Sequence, residues 1–320
     1  MIHMFFPENS PVIAFAGILA AFLLTCLCTA KFAKYLPKDG GRDYAVQGKN
    51  SAGKPRGAGI IFVLVFAVTA LIFADVSPEL IIYIALVAVE MLTGYLDDAS
   101  EKPWGELKKG LMDLAVAVVA AGTFLYFNTS AVSFAIFGIT VDFPVPVYFV
   151  LAVLLVWMSI NVTNCSDGVD GLSGTLSIIS LITLYAVMEV TGSEDEFSFL
   201  ILIFVVCILG YLWYNATPSR LMMGDAGSRA MGVFIALAAM KTGSPFIFLP
   251  AAIVLILDGG LGLVKVTIIR VLHVNIMKNV RLPLHDHVRK NLEWSNTQTV
   301  FRFAILQIIV SIATVYLIII

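Results

Sequence analysis

Short polar motifs interrupt an otherwise apolar chain, and each pairs residue types that can handle phosphate, a divalent cation or a sugar. Gly94-Tyr95-Leu96-Asp97-Asp98 closes an apolar run with two adjacent carboxylates. Neighbouring side chains on a helix diverge by about 100°, so one carboxylate can face a cleft while the other takes a cation or a backbone group. Acids at a helix C-terminus oppose its dipole, which argues against a merely solvated terminus. Asn161-Val162-Thr163-Asn164-Cys165-Ser166-Asp167-Gly168-Val169-Asp170-Gly171-Leu172 follows another run. Asp167 and Asp170 are three apart, so at a helix start they share a face, with Asn161 and Asn164 just upstream. One of these acids alone would serve as an N-cap. The remaining polar groups would be costly at a membrane surface without partners.

Met222-Met223-Gly224-Asp225-Ala226-Gly227-Ser228 opens a third helix. Its glycines let backbone N–H groups approach an anion, and Asp225 can hold the cation that accompanies a diphosphate. Pro283-Leu284-His285-Asp286-His287 places two imidazoles around a carboxylate. At i and i+2 they point the same way only in extended or loop structure, where they could bind phosphate, sugar or metal. Lys49 to Gly59, with Lys54-Pro55-Arg56-Gly57-Ala58-Gly59, supplies cations and flexible backbone, and serves equally well as a membrane anchor.

The elements that position these motifs follow from composition. The 320 residues are 59% hydrophobic and 13% charged, far from the roughly 25% charged residues of a soluble domain. A net charge of −2 without a basic block excludes a nucleic-acid surface. Of the four cysteines, Cys26, Cys28 and Cys207 lie in apolar runs and Cys165 in a polar motif. They form neither a disulfide framework nor a zinc pattern.

A bilayer core of ~30 Å needs about 20 apolar residues per helix. Ten runs fit: 11–30, 58–75, 78–96, 109–128, 145–163, 171–190, 197–215, 227–242, 245–271 and 299–320. The first has no basic region before it and is expected to be a retained helix. The ninth is too long for one perpendicular span, and Asp258-Gly259-Gly260 is where it should kink or break. Of the 20 Lys and Arg, Lys241 alone falls in the even-numbered loops, which places both termini outside and the polar motifs on the cytoplasmic face. The expected fold is therefore an all-α polytopic membrane protein of about ten transmembrane helices, with residues 1–320 forming a single domain. Within the spans, Glu90, Asp113, Asp258, Lys265 and Arg302 are ionisable, and the expectation is that they line one cleft.

With these motifs in order, the chain resembles the polyprenyl-phosphate N-acetylhexosamine-1-phosphate transferases, and among them the phospho-N-acetylmuramoyl-pentapeptide transferases. The resemblance rests on Asp97-Asp98, the Asn161–Leu172 loop, Gly224–Ser228, and Pro283–His287 followed by Trp294 and Val300–Phe303. It implies a Mg²⁺-dependent homodimer of the bacterial inner membrane with its active site facing the cytoplasm. Such an enzyme transfers phospho-MurNAc-pentapeptide from UDP-MurNAc-pentapeptide to undecaprenyl phosphate, giving lipid I and UMP. By the same resemblance Asp225 holds the magnesium, Asp97 is base, nucleophile or metal neighbour, and Asp98 supports it. Asn161, Asn164, Asp167, Asp170, Met222 and Gly224 fall in the uridine and catalytic cleft. His285 and His287 match the outer members of a three-histidine motif.

The chain departs from that pattern in several places. Asp286 replaces the central histidine, Met222 replaces a phenylalanine of the uracil site, and the segment at 54–59 leaves the nearby lysine open between Lys49 and Lys54. Lys102, Lys108 and Lys109 match a family lysine only approximately, and Lys109 is taken as the substrate-binding one. A GlcNAc-1-phosphate transferase of the same superfamily shares the Asp pair and the Asn/Asp loop. An ion-coupled transporter is the alternative from another class, and predicts charges at the bilayer midplane on interrupted helices.

Overall fold

The computed structural model describes residues 10–41, 51–75, 77–193, 196–274 and 276–320. The longer apolar runs become helices α1 (Ser10–Phe32), α2 (Gly59–Phe73), α3 (Pro78–Asp98), α4 (Glu106–Phe127), α5 (Val145–Cys165), α6 (Leu172–Thr191), α7 (Glu196–Asn215) and α8 (Gly224–Lys241). Short helices α9 (Phe248–Ala251) and α10 (Ile253–Leu255) then lead through a π-helical turn, Ile256–Gly260, into α11 (Leu261–Leu272). The chain ends with α12 (Leu284–Asn291) and α13 (Asn296–Ile319). Local chemistry sets several ends. Ser77 caps α3 with Pro78 in its first turn, and Ser295 and Gln298 form a reciprocal capping box on α13.

Among the described residues, seven helices are long and apolar enough to cross a membrane: α1, α3, α4, α5, α6, α7 and α13. The bent pair Pro245–Ala251 and Ile253–Leu272 makes an eighth. The two other expected spans depart from the simple pattern. The α2 helix has only 15 residues, and α8 carries Asp225, Arg229 and Lys241 within 18. Yet α8 is the centre of the molecule, buried on all sides from Gly224 to Met240 and packed on α2, α3, α5 and α6. A helix enclosed all round has no use for an amphipathic pattern.

Two expectations are corrected. The chain is not wholly helical, because β1 (Ala131–Phe134) and β2 (Ile139–Asp142) pair as an antiparallel hairpin between α4 and α5. Its β-branched and aromatic residues favour pleated structure, Gly138 turns at φ +63°, and Ser133 N–H donates to the Gly243 carbonyl beyond α8. The second correction concerns the ninth span, which bends by 70° at Ala252 rather than at Gly259-Gly260. Pro250 has no N–H to continue the helix. Its carbonyl and the Val254 N–H, a pair that an unbroken helix would join, are both taken up by Gln307 of α13: Nε2 donates to Pro250 O at 3.0 Å, and Oε1 accepts from Val254 N at 3.0 Å. At Asp258–Gly260 the chain stays helical but widens to the π-turn. All four cysteines are free.

Candidate active site

The C-terminus of α3, the N-termini of α2, α4 and α8, the end of α5 and the short α12 meet at one end of the bundle. There Lys109, on the first turn of α4, bonds both Asp97 of α3 and Asp225 of α8, the latter at 2.9 Å. The fourth apolar run was expected to start at Lys109; α4 begins one turn earlier at Glu106, so the lysine is on a helix and its ammonium is held in place. Asp97 also accepts the Trp104 N–H at 2.6 Å.

Asp98 turns the other way, as adjacent helical side chains must. Its fully buried carboxylate accepts the Ala226 N–H at 3.2 Å and pairs with Arg56 Nε at 2.8 Å. The anion at the N-terminus of α8 is thus a side chain of the protein itself, in the position where the helix dipole favours negative charge. Gly224 makes the approach possible: at φ +67° it is left-handed, and a Cβ there would strike the Asp98 carboxylate. Arg56 also lies 3.7 Å from Asp225 and 3.6 Å from Asp39. Burial opposes its charge, but Asp98, then Asp225, Asp39 and Asp97, hold its pKa above the ordinary value.

The Arg56 segment is laced to the entry of α8 by backbone bonds, Met222 N to Pro55 O at 2.8 Å and Ala58 N to Met222 O at 3.0 Å. Met222 is half-buried in this ladder. From α5, Asn164 donates to Ser228 at 2.9 Å and Asn161 to Asp113 at 3.3 Å. The 166–171 loop does not begin a helix, so Asp167 and Asp170 do not share a helical face. Asp170 accepts from Ser219 N at 3.4 Å and faces Lys54 at 3.8 Å, while Lys54 donates to Ser219 Oγ at 2.8 Å. These two form a separate cluster. Lys49 lies outside the described residues.

The histidine motif is helical, not extended, because Pro283 starts α12. His285 and His287 therefore diverge. His285 is buried, with its backbone N–H and Nδ1 on the two oxygens of Asp258 at 2.7 and 2.8 Å. Its Nε2 abuts Gly168 of the Asn/Asp loop. His287 Nδ1 accepts from Arg281 N at 3.3 Å. Asp286 pairs with Arg289 at 3.5 Å and Arg281 at 3.8 Å. The in-span charges do not line one cleft either. Lys265 donates to the Met277 and Val280 carbonyls, and Arg302 lies over the Trp294 ring.

Among the described residues, no three His, Cys, Asp or Glu side chains cluster as a ready metal cage. The geometry at Lys109 nonetheless fits a hard cation. Asp97 and Asp225 converge on one positive charge, and Mg²⁺ is commonly held by one or two carboxylates plus substrate phosphates.

A model of the glycosyl transferase family 4 matches residues 80–243, which span α3 to the end of α8. The phospho-N-acetylmuramoyl-pentapeptide-transferase of Treponema pallidum (strain Nichols) is 37% identical, covering 94% of this chain and 88% of that protein. The chain belongs to this family. Phospho-N-acetylmuramoyl-pentapeptide-transferases of Symbiobacterium thermophilum, 30% identical over 79% of this chain and 78% of that protein, and of Bacillus subtilis (strain 168), 26% identical over 94% and 93%, extend the likeness. They do not favour the GlcNAc-1-phosphate transferase or transporter alternatives.

Within the family frame, a groove of about 730 Å³ runs between α5 and the π-turn and α11. Leu154, Trp157, Leu257 and Val264 line it, and Asn161 gives it a polar side. Arg56 stood out in the sequence only as part of a basic segment, and Arg229 only as one residue of the eighth apolar run; the latter is enclosed within α8. For Arg56 the signal was available: a guanidinium just before α2 among several carboxylates. For Arg229 the signal was an arginine four residues after Asp225.

Proposed function

We propose that this membrane transferase moves phospho-MurNAc-pentapeptide from UDP-MurNAc-pentapeptide to undecaprenyl phosphate, giving lipid I and UMP. Family membership supports the reaction, and the observation that carries the site is the convergence of Asp97 and Asp225 on Lys109 beside Asp98 and Arg56. An oxygen of the lipid phosphate attacks the sugar-linked phosphorus of the donor. The bond from that phosphorus to the bridging oxygen breaks, and UMP leaves with the electron pair.

Such transfers need alignment and charge neutralisation more than covalent chemistry. Asp225, with Asp97, would hold Mg²⁺, which would neutralise charge on the donor diphosphate. Lys109 and Arg56 hold the carboxylates in place and add positive charge where two anionic substrates meet. Asp97 keeps the acceptor phosphate free of a proton, Asp98 fixes the start of α8, and Asp258 orients His285. A phosphate second pKa near 6 leaves the acceptor mostly dianionic at pH 7, so no strong base is required. The donor lies over Asn161, Asn164, Asp167, Asp170, Met222 and Gly224, within reach of Lys54, Asp286 and His287. The groove beside α5 takes the prenyl chain.

The whole chain acts as one domain, a homodimer with ten spans, α2 and α8 included, both termini outside and the site at the cytoplasmic face of the bacterial inner membrane. The loop charge bias supports this orientation. The test is UMP release by purified protein with undecaprenyl phosphate and Mg²⁺, comparing UDP-MurNAc-pentapeptide with UDP-GlcNAc. Turnover of the pentapeptide donor alone, abolished by chelation and by Asp225→Asn, is expected. Turnover of UDP-GlcNAc, or retention of activity without divalent cation, would overturn the reading.

A further inference from the structure

Beneath the site, a second charged layer joins the same three helices. Arg229 of α8 bonds Asp113 of α4 and lies 2.7 Å from Glu90 of α3. All three side chains are buried, the guanidinium only 2% exposed. A buried ion triad is rarely the most stable way to fill such a space, because desolvation offsets much of the attraction. Its value lies in specifying an arrangement, and here the arrangement can be read.

Along α8, Arg229 follows Asp225 by four residues, and along α4, Asp113 follows Lys109 by four. Each step is about one helical turn, so the second layer stacks under the first. On α3 the step from Asp97 to Glu90 is seven residues, about two turns, with Gly94 between them touching the α8 backbone at Asp225. The longer reach is met by the long Glu and Arg side chains.

The polarity of the two layers is reversed. In the first, α4 supplies the cation and α3 and α8 the acids; in the second, α8 supplies the cation and α3 and α4 the acids. If α8 slid one turn away from the site, Asp225 would join Glu90 and Asp113 with no cation among them. If it slid one turn the other way, Arg229 would crowd Lys109 around Asp97 and leave Glu90 and Asp113 facing each other with no cation. Each displacement opposes like charges, so only the observed register is electrostatically satisfied.

We propose that Arg229, with Glu90 and Asp113, is a positioning residue for the reaction, setting the register of α8 so that Asp225 faces Asp97 and Lys109. This rests on the functional reading above and adds to it a device outside the substrate cleft. At the far end of the same helices, Lys241 of α8 meets Glu79 of α3 and Asn128, which caps α4, at 3.2 and 3.3 Å. That outer clamp is the control, since it ties the same helices without neighbouring the site.

Arg229→Met alone strands two buried carboxylates and can fail to fold, so the informative protein is the neutral triple variant Glu90→Gln, Asp113→Asn, Arg229→Met. Full-length protein in nanodiscs is compared by thermal midpoint, by kcat and KM for the donor, and by acetylation of Lys109 with acetic anhydride, read by mass spectrometry. The triple variant should keep a cooperative melt, lose about tenfold in kcat at a donor KM within twofold, and acetylate at Lys109 at least fivefold faster. Lys241→Met should lower the midpoint while leaving kcat and Lys109 acetylation unchanged. A folded triple variant with wild-type kcat and wild-type Lys109 reactivity overturns the inference. Acetylation needs no substrate, so a wild-type protein that turns over neither donor would sink the functional reading while the Lys109 comparison still decided the positioning role.

Discussion

One ammonium, that of Lys109, is shared between Asp97 at the end of α3 and Asp225 at the start of α8, so two carboxylates 128 residues apart in sequence are held by a single charge from α4. Lys109→Met removes that link and leaves two acids facing each other. Activity should fall by about 10²–10³-fold, the size of effect seen when a preorganised charge at a reacting group is lost. Lys109→Arg keeps the charge but not its compact shape and should recover only part of the loss. Initial rates of UMP release check both, and a Lys109→Met enzyme within threefold of wild type would remove the lysine from the reaction.

Gly94 is where α3 touches α8: a Cβ there would lie 2.5 Å from the Asp225 carbonyl carbon and oxygen. Gly94→Ala must push the helices apart, costing on the order of 1–3 kcal/mol and displacing Asp225 from Asp97. A shift of about 1 Å in a reacting group can cost 10²-fold in rate. Gly122→Ala, in α4 with nothing within 4 Å of the added methyl, should be neutral or stabilising by up to about 1 kcal/mol. Thermal midpoints and turnover of the two variants should therefore separate widely; similar behaviour would mean the close contact is not rigid.

The bend at Ala252 depends on Gln307, whose amide joins the backbone groups that the break exposes. Gln307→Leu is nearly isosteric but leaves the Val254 N–H and the Pro250 carbonyl without partners in a buried setting. Each such orphan costs about 1–3 kcal/mol. The expected result is a clear fall in the melting midpoint in nanodiscs; an unchanged midpoint would show that the bend holds itself.

The groove between α5 and α11 predicts a chain-length effect. Leu257 lines it and is 43% exposed, so Leu257→Trp fills space there without disturbing the packed core. The KM for undecaprenyl phosphate should rise about tenfold, equivalent to ~1.4 kcal/mol, while an acceptor with only a few prenyl units should be little affected. Equal effects on long and short acceptors would place the prenyl chain elsewhere.

Much of the site was legible in the chain before it was folded. The length of the apolar runs locates most of the long helices to within a few residues, and the motifs fall at helix ends because polar residues there lie nearest water. The divergence of Asp97 and Asp98 follows from helical geometry alone, and the structure shows it, one carboxylate on Lys109 and the other on Ala226 and Arg56. The histidine motif was misjudged because i and i+2 spacing says nothing about whether a proline-led segment will coil, and Pro283 starts a helix.

What the sequence determined by itself was which polar motifs were candidates for chemistry and that they would gather at one end of the bundle, since both depend on local properties: residue type and position at the ends of apolar runs. Only the tertiary structure decided who pairs with whom. Arg229 with Glu90 and Asp113, Asp98 with the start of α8, and Gln307 with the gap around Pro250 join positions 53 to 139 residues apart. No period along the chain encodes such partners. They are selected when helices pack in low-dielectric surroundings, where an unpaired charge or a free backbone group is too costly to leave.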